Sequence, residues 1–60
     1  MSQAEILRAM ARAEEDLSKL IAERALNCAN EAERKGLRSL WRLSHQRAGY
    51  FQEMAVNAPD

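Results

Sequence analysis

The stretch "LNCANEAERKGL", residues 26–37, contains both places where this chain can turn, and the choice between them sets the lengths of the elements on either side. Before it, Ile6, Met10, Ala13, Leu17, Leu20, Ile21, Arg24 and Cys28 recur at spacings of three and four, one face of a helix with 3.6 residues per turn. After it, Leu37, Leu40, Trp41, Ser44, Ala48, Phe51 and Ala55 recur in the same way, but out of phase with the first series. Two amphipathic helices with different phases require a backbone reversal between them. One reading puts it at Arg34-Lys35-Gly36-Leu37: cations lie against the last carbonyls, a glycine takes the left-handed position and an apolar residue follows. The other puts a loop at Asn27 to Asn30, with Asn30 capping a new helix and Glu33 three residues on. The small residues Ala25, Cys28, Ala29 and Ala32 prolong the first stripe and favour Gly36, which predicts a long first helix and a shorter second one.

Other local signals agree with two helices. Ser2-Gln3-Ala4-Glu5 has the form of a capping box, so the first helix is expected from about residue 3. Glu5, Arg8, Arg12, Asp16, Lys19 and Glu23 occupy its opposite side, where Arg12 with Asp16 and Lys19 with Glu23 are spaced for ion pairs. No segment alternates with period two and there is a single valine, so strands are not expected. The fold class is therefore all-α: an antiparallel helical hairpin, one domain over 1–60, with "NAPD" at 57–60 as a frayed tail.

Sixty residues bury only about 60% of the unfolded surface, and chains this short usually gain stability from a disulfide, a metal or a partner. Cys28 is the only cysteine and His45 the only histidine, which leaves no intrachain disulfide and no tetrahedral zinc set; no cofactor is expected. Self-association is the remaining route. A homodimer forming a four-helix bundle is expected, with Met10, Leu17, Ile21, Leu40, Gly49, Phe51 and Met54 at its interface. Gly49 enters that set because a glycine permits close helix crossing.

Nine basic and nine acidic side chains give a formal net charge of zero, unlike the strongly basic balance typical of a nucleic-acid-binding domain. No apolar run approaches the roughly 18 residues of a membrane span, and no secretory signal pattern is present. A cytoplasmic location is expected, which also suits a reduced lone thiol.

Arg34, Lys35, Arg38, Arg42, His45 and Gln46 project to one side of the second helix beside Trp41, and this ridge is the candidate partner-binding surface. Indole is the strongest common side-chain partner for a cation, and a Trp among arginines suits either a protein contact or base stacking. The competing reading is a solvated helix back carrying a core tryptophan. No acid is placed in sequence to orient His45 as a base, and Cys28 on an apolar stripe behaves as a small hydrophobe.

"NEAERKGLRSLWRLSHQRAGYFQEM", residues 30–54, resembles the helix, glycine turn and helix of half a ferritin-like bundle. In that family Glu-x-x-His holds iron, but here Arg42 stands three residues before His45, so the resemblance implies a helical hairpin and carries no metal site. The chain is also similar in size and expected architecture to the small RNA-binding hairpin dimers of the Rop type, with no residue motif in common.

These features point away from an enzyme, which needs a concave pocket and converging reactive groups. The expected function is a small protein-interaction module: an adaptor, inhibitor or accessory factor of bacterial or phage type. The alternative is an oligomeric binder of an anionic ligand, RNA or a nucleotide signal, through the basic and Trp ridge.

Overall fold

The structure is a computed structural model that describes residues 1–59; Asp60, at the end of the expected tail, lies outside them. Two helices, α1 (Gln3–Leu26) and α2 (Glu31–Asn57), form a hairpin, and no strand occurs among the described residues. The expected capping box starts α1. Ser2 Oγ accepts from the Glu5 amide at 3.1 Å and donates to Glu5 Oε1 at 3.3 Å. At the other end Asn57 is still helical, and its Nδ2 donates to the Glu53 carbonyl at 3.0 Å.

The reversal lies at Asn27 to Asn30, not at Gly36, which sits inside α2. Consequently α2, with 27 residues, is longer than α1, with 24, the reverse of the sequence expectation. The turn works without a left-handed residue, since none of the described residues has positive φ. Side chains replace the glycine. Asn27 Nδ2 donates to the Glu23 carbonyl at 3.0 Å and closes α1, while Asn30 Oδ1 accepts from the Glu33 amide at 2.9 Å and opens α2. Arg34 then reaches back and donates to the Cys28 carbonyl, and Cys28 is buried with its Sγ 3.5 Å from the Asn30 carbonyl oxygen.

The seam between the helices runs along Ala4, Leu7, Ala11, Glu14, Ser18, Ile21, Ala25 and Cys28 on one side. It meets Arg34, Leu37, Trp41, Ser44, Ala48, Phe51, Ala55 and Ala58 on the other. Both series alternate steps of three and four, the seven-residue repeat that keeps one stripe facing a partner along the whole length. Small side chains dominate: Ala11 is 1% exposed, Ser44 2% and Ala48 6%. Alanine and serine let the backbones approach closely, so the hairpin closes on its smallest residues rather than on its largest.

The seam on α2 is the stripe expected from sequence, apart from Leu40. On α1 it is not. Ile6, Met10, Leu17 and Leu20 lie roughly 110° away around the helix, at 100° per residue, and remain exposed. The expected surface pairs Arg12 with Asp16 and Lys19 with Glu23 are not formed; among the described residues the ion pairs are Arg24–Glu33, Arg34–Glu31 and Arg47–Glu14.

Candidate functional site

Because the seam takes one stripe from each helix, the hairpin is a slab with two broad faces. They differ in chemistry. One carries Ile6, Met10, Leu17 and Leu20 from α1 and Leu40, Leu43, Tyr50 and Met54 from α2, eight of the twelve large apolar residues left exposed. Three shallow hollows open on this side; one is lined by Met10, Ala13, Glu14, Leu17 and Phe51, and another by Leu43, Gln46, Arg47 and Tyr50. Its arginines are paired within the hairpin: Arg24 meets Glu33 at 3.2 Å and Arg47 meets Glu14 at 3.7 Å.

The opposite face is charged. Arg8, Arg12, Lys19, Lys35, Arg38 and Arg42 stand there with Glu5, Glu15, Glu23, Glu31 and Glu53, and the cations are concentrated on α2 between Lys35 and Arg42. Near the turn its floor becomes apolar, in a groove lined by Ala22, Ala25, Leu26, Arg34, Arg38 and Trp41. The Trp41 and His45 rings stack at 5.1 Å between centroids and 10° between planes, as their spacing of one helical turn allows. Stacking holds the indole along the helix, with 37% of the residue still accessible. The groove therefore offers an aromatic edge, an alanine floor, and Leu26 and guanidinium groups at its rim. That combination suits an apolar side chain followed by an anionic group.

Of the ridge residues named from sequence, Arg38, Trp41, Arg42 and His45 lie on this charged side, and Arg38 and Trp41 line the groove together. Arg34 is occupied differently. It is half-buried at the seam, and its guanidinium is committed to the Cys28 carbonyl and to Glu31. Of the residues assigned from sequence to an oligomer interface, Met10, Leu17, Leu40 and Met54 are on the apolar face. Ile21 and Phe51 are half-buried in the seam of the hairpin itself. Gly49 projects toward the charged side, and a Cβ there would meet nothing within 4 Å, so no close helix crossing uses it within the hairpin.

One part of these surfaces is not legible in the sequence: Ala22 and Ala25 form the groove floor, with Leu26 at its rim. Glu14, the one acid in the α1 seam, meets Arg47, a pairing that the acidic run "AEED" at 13–16 offers to the arginines of an antiparallel neighbour. No group of three or more His, Cys, Asp or Glu side chains arranged to hold a metal ion occurs among the described residues, and no helix there is long and apolar enough to cross a membrane. No family model matches the chain, and neither a curated protein nor a solved structure matches it significantly.

Proposed function

We propose that this chain is a small non-enzymatic protein-interaction module that works as a homo-oligomer, an adaptor, inhibitor or accessory factor of bacterial or phage type acting in the cytoplasm. The observation that carries the reading is the division of one thin slab into an apolar face and a charged face whose ridge on α2, Lys35, Arg38 and Arg42, is basic. A lone hairpin gains nothing from eight large apolar side chains in water, whereas an assembly uses them and leaves the charged face free for a second partner. On that face the groove between Trp41 and Arg38 fits an acidic helix or peptide that seats one apolar side chain on Ala22, Ala25 and Leu26. Its hollows are open rather than enclosing, which favours recognition of a surface over chemistry on a sequestered substrate.

The second reading, an anionic ligand such as RNA or a nucleotide, draws on the Trp41 and His45 stack among arginines. Capture from lysate by the tagged chain, with and without nuclease, separates the two. The proposal expects a protein retained through nuclease treatment and lost with the double variant Arg38→Glu, Arg42→Glu at unchanged helicity. Capture that disappears with nuclease, or affinity that falls steeply from about 50 to 200 mM salt, selects the nucleic-acid reading. Binding that survives the double variant removes the basic ridge from the mechanism.

A further inference from the structure

We infer that the apolar face is covered by a second copy of this chain, packed face to face, so that the charged faces point outward on both sides. The inference deepens the preceding reading by assigning which surface self-associates, and it rests on that reading only in taking the chain to work assembled.

Area argues first. The hairpin exposes 4701 Å², whereas a compact monomer of 6.8 kDa is expected to expose about 3950 Å². The excess, about 750 Å², is close to the roughly 800 Å² that each partner contributes to a standard stable interface. Shape agrees with area. The Cα radius of gyration is 13.9 Å against about 10.4 Å for a compact chain of this length, and the Cα extents of 46 × 14 × 10 Å describe a slab about one helix thick. Doubling the slab across its apolar face supplies the missing layer.

Charge then selects the occupant. A two-fold interface presents the same patch to itself, so a patch with a large net charge repels its own copy. The apolar face passes that test, because its ion pairs Arg24–Glu33 and Arg47–Glu14 are closed within each hairpin. The opposite face carries most of the remaining charge, the ridge Lys35, Arg38 and Arg42 included, and a copy seated there would bury it.

Sedimentation equilibrium at micromolar concentration tests the inference on the unmodified chain, the expected mass being twice 6.8 kDa. Peroxide footprinting on the same sample reads the face. Met10 and Met54 should oxidise about tenfold more slowly than Met1, which is 93% exposed and off the patch, since oxidation follows exposure. A monomer mass overturns the inference, as does a dimer in which Met10 and Met54 react only about twofold more slowly than Met1, the ratio that their 41% and 38% exposure in the lone hairpin sets. So does a monomer whose methionines become protected only on adding lipid vesicles or another protein. Replacing Leu17 and Leu43 together by Lys should abolish the dimer, while Arg38→Glu with Arg42→Glu should leave it intact. A dimer that captures no partner refutes the functional proposal alone, and a monomer that still captures one refutes this inference alone.

Discussion

Arg34 clamps Cys28: its Nη2 donates to the Cys28 carbonyl oxygen at 2.7 Å and its Nε to the same oxygen at 3.3 Å. The guanidinium thus ties the first turn of α2 to the loop and supplies donors to a loop carbonyl that no backbone amide serves among the contacts of the turn. Replacing Arg34 by Ala should lower stability by about 1–3 kcal/mol, and Lys should restore only part of it, because an ammonium lacks the planar fork. The exposed partner Glu31, 3.8 Å away, contributes little. Urea midpoints at fixed protein concentration measure the difference.

Gly36 and Gly49 are both helical, and a Cβ at either would meet nothing within 4 Å. Each Gly→Ala change should stabilise by about 0.5–1 kcal/mol, read as a higher thermal midpoint. The sign is the informative part. If Gly36 were the turn, Ala there would destabilise instead.

Asn30 caps α2 through its contact with the Glu33 amide. Asn30→Ala should lose about 1 kcal/mol in the same urea titration, whereas Asn30→Asp, which keeps the acceptor, should stay near wild type. An equal loss for both would mean that the side-chain oxygen is not what opens the helix.

The alanine seam has little room for growth. Ala11→Leu or Ala48→Leu should destabilise by about 1–3 kcal/mol through overpacking. Ala9→Leu, on an exposed position of the same helix, should change stability by less than about 0.5 kcal/mol. Similar effects at both positions would argue against a closely packed seam.

These contrasts show what the residue pattern conveys. Two helices, the Ser2 cap and the α2 seam can be read directly, because Leu37, Trp41, Ser44, Ala48, Phe51 and Ala55 form one unbroken stripe of large and small residues. The α1 seam cannot be read from side-chain size. Ile6, Met10, Leu17 and Leu20 carry the stronger apolar signal, and periodicity alone does not say whether a stripe faces the neighbouring helix or lies outside it. Ala4, Ala11, Ser18 and Ala25 recur every seventh residue, the weaker but relevant signal. The turn was misplaced for a related reason. Glycine is the familiar helix terminator, but two asparagines and a distant arginine meet the same backbone needs by hydrogen bonding. On the candidate site, spacing brought Trp41 and His45 together correctly, while the groove floor at Ala22 and Ala25 depends on how the two helices dock, which no single helix encodes.

The seven-residue seam also sets an order in time. Cys28 and Arg34 are held together across a handful of residues, whereas Leu7 and Met54, which line one hollow at the open end, enclose nearly the whole chain between them. Loop-closure entropy rises with that separation, so the hairpin should close from Asn27–Asn30 outward, each layer shortening the search for the next. Asn30→Ala should then mainly slow refolding and Ala55→Gly mainly speed unfolding, a split that stopped-flow kinetics resolves.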